Sequence, residues 1–409
     1  MPPIQSSLTP QENKMSLPEF IALMAFMTSL VALSIDAMLP ALDLIGQALN
    51  SPEPQQTHLI VSLFFFGMAL GQLYYGPYSD TKGRRRAVLS GLFIYLLGTV
   101  ICLMSQDLNW LLFGRVVQAF GVSGPRVATL ALIRDQYQGE AMARVMSFIM
   151  MVFILVPMIA PVVGQAVLEF FHWRHIFTLF LLITVTLGFW FFVRQPETLP
   201  PERRRIFSWS DLAKSSKYIL THFEVMGFTV AMGIIFGAFL AYISTSQTIF
   251  QSIYQTGDLF PAYFALLAFS VGFASFANGM LVMRHGMLKL SKLAMVGLFV
   301  GSIILLVLCV NTAGKPPLWQ LLCLLFPMYF CVGILFGNLN SLAMQPLGDM
   351  AGLGAAIIGS LSSLLSVPVA IFIGQFVETG VTAIAMGFVG MSLLAYILVT
   401  LASKQRTSM

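Results

Sequence analysis

Apolar runs of about 20 residues recur along the whole of this 409-residue chain, and no other feature restricts its fold as strongly. Twelve can be counted, centred near Val31, Phe66, Leu97, Phe120, Ile154 and Leu182, then Ile234, Phe269, Phe299, Met328, Leu364 and Leu393. As a helix, each is long enough to cross roughly 30 Å of hydrocarbon. Hydrophobic residues make up 57% of the chain and charged residues 10%, against about 25% charged in a soluble domain. The expected fold is an all-α integral membrane protein, with twelve transmembrane helices in two six-helix bundles.

Orientation follows from Gly71–Arg86, GQLYYGPYSDTKGRRR, a basic turn between two membrane-length segments. Such a cluster marks a short cytoplasmic loop. Of the 22 lysines and arginines, all but Arg174, Lys315, Arg115 and Arg126 then fall on the same side. This is a positive-inside pattern rather than a nucleic-acid patch, and it places both termini in the cytoplasm. Trp110, Trp173 and Trp319 fall at outer span ends and Trp190 at an inner one, as interfacial anchors do. Cys102, Cys309, Cys323 and Cys331 sit in apolar runs without a CxxC pair, so they read as packing residues. The first residues lack a charged n-region and cleavage site, and read as a short tail.

One long polar segment, Arg194–Thr221, separates six spans from six. Pro196, Pro200 and Pro201 break the helix there. Ser208 or Ser210 can cap a short amphipathic helix carrying Trp209, Leu212, Ile219 and Leu220, with Lys214 and Lys217 on its polar side. The expected divisions are a tail over 1–17, a bundle over 18–194, a linker over 195–221, a second bundle over 222–403 and a tail over 404–409. The halves also echo each other. Gly76, Asp80 and Gly83 follow span two; Gly279, Met283 and Gly286 follow span eight at the same spacing. Matched loops in two six-span halves point to a duplicated transporter.

Asp36 is the one carboxylate deep inside a span. A charge there costs a few kcal/mol even on lenient scales, so it is normally functional or paired. Leaving water favours a neutral acid, whereas a nearby cation favours the carboxylate. An aspartate between those effects can exchange a proton; the alternative is a static ion pair. Counting along the helices puts Asp36 and Arg115 at matching depths, so the two are expected to interact, through Gln118 if not directly. Ser29 shares the Asp36 face. Arg126 follows Arg115 by about three turns and points the same way. It either contacts an anion or carbonyl of cargo or snorkels toward the cytoplasm. Ser244, Thr245, Gln247, Asn278, Asn338 and Asn340 offer neutral hydrogen bonding in the second half. Pro157, Ala160, Pro161 and Gly164 form a small, kinked stripe on span five, suited to a moving interface or to plain packing. Met24, Met27, Met150, Met151, Met328 and the many phenylalanines either line an adaptable pocket or pack and face lipid.

These residues resemble the major facilitator superfamily, specifically twelve-span drug:proton antiporters of the Bcr/CflA type. The stretch Gly76-Pro-Tyr-Ser-Asp80-Thr-Lys-Gly83-Arg84-Arg85 resembles the family's loop 2–3 motif, GxLaDrxGrr, with Tyr78 and Thr81 departing from it. The resemblance implies that this loop latches spans two and eleven together. Asp80 at a helix N-terminus pairing with arginine, and Gly83 in the turn, would account for it. Asp36-Ala-Met-Leu-Pro40-Ala-Leu resembles the DMYLPAL signature, and Arg115-Val-Val-Gln118-Ala-Phe-Gly121 the RxxqGxg motif of span four. Pro157-Met-Ile-Ala160-Pro161-Val-Val-Gly164 resembles the span-five antiporter motif, with Gln165 in place of its last glycine.

Gly121-Val-Ser123-Gly124 spells GxSG, a rhomboid-protease pattern, but that chemistry needs a histidine in reach. The five histidines fall in loops or span ends, and no metal-ligand cluster or phosphate loop is present, so no enzyme is expected. Two six-span halves favour alternating access over a channel. The expectation is proton-coupled export of small amphipathic molecules by a monomer in a bacterial inner membrane. The proton gradient would be its energy source, with no bound cofactor or metal and no nucleic-acid partner. The alternatives are export of a native metabolite such as a siderophore or another anion, and uptake.

Overall fold

A computed structural model describes residues 15–51, 54–137, 139–204, 209–378 and 380–406. The tail 1–14 and the proposed cap Ser208 lie outside the described residues. Fourteen α-helices follow one another: α1 (Leu17–Asp36), α2 (Leu42–Ala48), α3 (Leu59–Lys82), α4 (Arg84–Met104), α5 (Leu108–Gln136), α6 (Gly139–Phe170), α7 (Arg174–Arg194), α8 (Trp209–Thr221), α9 (Phe223–Gln247), α10 (Phe260–His285), α11 (Met287–Asn311), α12 (Leu318–Met344), α13 (Ala351–Gly374) and α14 (Thr382–Arg406). Together α1 and α2 form the first of 12 membrane-length segments, and α8 lies between the sixth and seventh.

Local sequence sets the helix ends. Ser16 caps α1, accepting from the Glu19 amide at 3.4 Å, and Pro18 sits in the first turn. Asp107 caps α5, accepting from the Trp110 amide at 2.9 Å. Pro40 cannot continue α1, so the chain turns at Ala37 and runs through a short 3-10 helix, Leu39–Ala41, into α2. Asp36 is therefore the last residue of α1 rather than a mid-helix residue.

Within the first half α1 packs on α5, α6 and α7, and α5 on α3 and α4. In the second, α9 packs on α12, α13 and α14, and α11 on α12 and α14. Two seams join the halves, α3 with α13 and α6 with α10. Large apolar side chains such as Phe93, Phe189, Phe276, Leu293 and Met386 point outward, as lipid contact requires. Trp110 and Trp319 are exposed near span ends, but Trp173 is buried beneath the Arg174 guanidinium, 4.3 Å from its ring. It is a packing residue, because the short turn before α7 folds it inward.

The two loop glycines test the repeat directly. Gly83 has φ 102° and ψ 157°; Gly286 has φ 75° and ψ 153°. Each ends one helix and begins the next, in a conformation that L side chains rarely adopt. Their surroundings differ. A Cβ at Gly83 would fall 2.2 Å from the Glu197 carboxylate, whereas one at Gly286 would meet open space. Gly286→Ala is expected to cost about 1 kcal/mol of backbone strain, and Gly83→Ala clearly more. Thermal unfolding of the two variants in detergent checks the order; equal losses would mean that Glu197 simply moves aside.

Candidate functional site

Arg84 organises the end of the molecule that carries the basic loop. Its guanidinium bonds Asp135 at 3.0 Å, Ser79 at 3.1 Å and Asp80. Asp80 lies in the last turn of α3, not at a helix N-terminus as the sequence suggested. Glu197 takes that role, accepting from the Arg84 amide at 2.8 Å and the Arg85 amide at 3.2 Å. A carboxylate over two free amides at the start of α4 is favourable for both hydrogen bonding and the helix dipole. Arg85 donates to the Phe192 carbonyl at 2.6 Å and lies over that ring. Arg84 and Arg85 thus bind the loop to α5, α7 and the following linker, within the first half. Gly76 faces the second half, where its Cβ position is 3.0 Å from the Ala356 Cβ on α13.

Toward the end opposite the basic loop, Arg115 is fully buried. It donates to the Ile60 carbonyl at 3.2 Å, the Ser34 carbonyl at 3.0 Å and Gln118 Oε1 at 2.6 Å, and its guanidinium lies 4.3 Å from the Phe64 ring centre. Gln118 passes the chain on to Thr99 at 2.9 Å. No bond to Asp36 is formed, which corrects the expected pair. The reason is local. The Met38 amide turns back to Ile35 instead of Ser34, so the Ser34 carbonyl is left without its helical donor, and Arg115 supplies one. The Ser34 hydroxyl meets Tyr95 at 2.6 Å, which closes the same network.

Asp36 itself is 6% exposed and has no hydrogen bond or ion pair among the described residues. The backbone beside it is held by α6. A Cβ at Gly164 would fall 2.1 Å from the Ala37 carbonyl, so only glycine admits this approach. Ala160 and Pro161 are buried on the same helix and Pro157 is half-buried. The small stripe of span five thus ends against the break in span one.

The remaining predicted residues separate. Ser29 is buried with a hydroxyl that finds no partner. Arg126 is half-buried, with Nη1 3.2 Å from Met68 Sδ and no carboxylate partner among the described residues. Like Arg115 it points toward α3. Ser244 spends its hydroxyl on the Ala241 carbonyl of its own helix. Asn278 and Asn338 bond each other at 3.0 and 2.9 Å, joining α10 to α12. Gln247 is not in the centre. It accepts from the Asp43 amide at 3.2 Å and donates to the Pro40 carbonyl at 3.4 Å, bridging the halves at the end opposite the basic loop. A π-helical turn, Thr248–Ile253, prolongs the seventh span beyond it. His58 reaches Thr248 across the same end at 3.1 Å. Met150 is a residue whose side chain is outside the description.

Sequence reasoning missed Glu197, Tyr242 and Tyr329. Glu197 looks like any solvated linker charge, and a lone tyrosine in an apolar run looks like packing. Among the described residues, the buried hydroxyls without partners are those of Ser29, Tyr75, Thr129, Tyr242, Tyr329, Ser360 and Thr400, spread over spans one, two, four, seven, ten, eleven and twelve.

Comparison with known proteins agrees with this architecture. The Major Facilitator Superfamily profile matches residues 24–370. The MFS-type transporter YdgK of Bacillus subtilis is 29% identical over 373 residues, 90% of this chain and 92% of the relative. The bicyclomycin resistance protein homolog of Haemophilus influenzae is 28% identical over 346 residues, 84% and 85% of the two chains. Multidrug resistance protein D of Escherichia coli is 25% identical over 331 residues, 78% and 80% of the two. The D-xylose-proton symporter shares the fold with TM-score 0.74 at 13% identity, covering 94% of this chain and 97% of that one. The human organic anion transporter MFSD10 does so with TM-score 0.69 at 18% identity, covering 94% and 100%. Twelve membrane-length helices, paired loop glycines and a profile spanning most of the sequence make this chain a member of the Major Facilitator Superfamily, whose members are transporters and not enzymes.

Proposed function

We propose that this transporter exports small amphipathic molecules in exchange for protons by alternating access. The observation that carries the reading is Asp36. It is buried at a helix break and has no hydrogen bond or ion pair among the described residues. A carboxylate so placed is unfavourable as a permanent charge, so a function in gaining and losing a proton accounts for its presence. Names of the relatives support drug export: one is a bicyclomycin resistance homolog and another a multidrug resistance protein. The cargo path is a polar cavity between the halves. Ser29, Arg126, Asn278 and Asn338 line it in this reading, and Gln247 belongs to the gate at its far end. The basic loop lies at the other, cytoplasmic end, where Asp80, Gly83, Arg84 and Arg85 hold the loop within the first half and Gly76 meets α13 of the second. Both termini then lie in the cytoplasm of a bacterial inner membrane. The protein works as a monomer, with the proton gradient as its energy source and no bound cofactor.

A second reading, anionic cargo, is favoured by Arg126, a half-buried cation without a carboxylate partner among the described residues. Proteoliposomes with an imposed pH gradient separate the two. Ethidium, a fluorescein sulfonate and an uncharged dye serve as probes. Gradient-driven movement of ethidium or the neutral dye is expected, with loss when nigericin collapses the gradient. Movement indifferent to nigericin overturns the coupling, and movement of the sulfonate alone transfers the assignment to anions.

A further inference from the structure

Hydrogen bonds from one half to the other close the end opposite the basic loop. Gln247 holds the Asp43 amide and the Pro40 carbonyl, Ser252 donates to Asp43 at 3.4 Å, and Gln165 donates to Asp258 at 3.5 Å. His58 takes part in this closure in a way that the others do not. It ends a short 3-10 helix, Pro54–His58, which packs on α2, α3 and α13. Its Nε2 lies 3.1 Å from Thr248 Oγ1, in the π turn that prolongs α9 of the second half.

His58 is 8% exposed, and its Nδ1 has no hydrogen-bond partner. That nitrogen faces Gly374, the last residue of α13. A Cβ on Gly374 would lie 4.0 Å from Nδ1 and 3.5 Å from Thr245 Cγ2. The imidazole is thus shut between the ends of two spans of the second half, with one ring nitrogen meeting no polar group. A neutral ring fits there: Nε2–H donates to Thr248, and Nδ1 is left bare. A second proton turns Nδ1 into a donor without an acceptor and places a charge where water does not reach.

We infer that His58 is a proton-operated gate residue: neutral, it holds the first half to the π turn after α9 and to the end of α13; protonated, it is expelled from the closed seam and the far end opens. Acid opens this end because the closed seam accepts only the neutral ring. The gate does not depend on which acid carries the coupling. In the proposed orientation, on which this step rests, the far end faces outward, the acidic side of an inward proton gradient. The gate then opens toward the compartment that receives cargo. Other titratable groups around His58 are few. Asp43 on α2 is turned to Ser252. The π turn and α13 carry none, α3 carries none before Tyr74, and Tyr242 lies more than a turn below Thr248 on α9. Tyr254, just past the π turn, donates to the Pro316 carbonyl at 2.6 Å and lies under Lys315. Glu378, beyond the end of α13, is exposed and has a partner of its own. His58 bonds none of them.

The test uses the full chain in lipid nanodiscs, with Cys323→Ser and Cys331→Ser. Asp36→Asn is added so that the proposed coupling acid contributes nothing. Spin labels are attached through Gln106→Cys and Asn311→Cys, exposed positions at the far end of opposite halves. Their separation is measured over a series of pH values. In this parent, the share of molecules with the longer separation is expected to rise about threefold or more as pH falls from about 8 to about 5, the range in which an imidazole titrates. His58→Gln keeps a donor for Thr248 but cannot titrate, so the rise should disappear. Gly374→Ser sets an oxygen beside Nδ1 and gives the protonated ring an acceptor in the closed state. It should move the rise to lower pH by about half a unit or more. A rise of the same size in His58→Gln belongs to the carboxylates at this end and overturns the proposal. So does a rise at unchanged pH in Gly374→Ser, or a parent that does not respond to pH. None of these outcomes bears on Asp36, whose part in coupling is read from the nigericin-sensitive dye movement.

Discussion

Replacement of Arg115 by leucine is expected to destabilise the protein by about 3 kcal/mol or more, enough to remove a large part of its total stability. The guanidinium serves three oxygen acceptors in a site with no exposure: Ile60 O on α3, Ser34 O on α1 and Gln118 Oε1 on its own helix. Leucine leaves all of them without this donor, and a buried group left unsatisfied costs about 1–3 kcal/mol. The Ser34 carbonyl is the most serious loss, since the break after Asp36 has already removed its helical partner. Arg115→Lys keeps the charge but presents one nitrogen where a planar fork spans three directions, so it should restore less than half of the loss. Unfolding temperature and monodispersity in detergent report the effect. A leucine variant as stable as the parent would falsify the view that this network holds spans one, two and four together.

Asp36→Asn is expected to abolish gradient-driven accumulation while preserving exchange of substrate across the membrane. Asparagine matches aspartate in shape, so the packing of Ala37 on Gly164 is kept, but it has no proton to trade. For an exchange of one proton per substrate, a gradient of two pH units supplies about 2.7 kcal/mol, an accumulation of about 100-fold. In the variant that ratio should fall to about 1. Asp43→Asn is the control, because Asp43 engages Gln247 through its backbone amide, which the substitution retains. If both variants accumulate substrate alike, Asp36 is a structural residue and another group carries the coupling.

Asp36 and Arg115 also show how far the chain can be read without coordinates. Their equal depth was legible, because depth follows from counting residues at a constant rise along a helix. Their pairing was not, because direction around the helix axis and the choice of neighbour arise from packing. The break at Pro40 then turned a carbonyl, not the carboxylate, toward Arg115. Gln247 was assigned to the cavity for a similar reason. The π turn after α9 lengthens the seventh span, so a residue that counts as interior lies at the seam between the halves.

Apolar length, charge asymmetry and the two loop glycines determined the twelve helices and their repeat, since each is a property of a short stretch in contact with lipid or of one backbone torsion. Tertiary structure alone decided that Glu197 would cap α4, that Gly164 would meet Ala37, and that Arg115 would bond the Ser34 carbonyl. Each of those contacts joins residues that lie far apart in the chain, in different spans or in the linker. The energy that selects them is the pairing of buried polar groups, which exists only once the helices have chosen their neighbours.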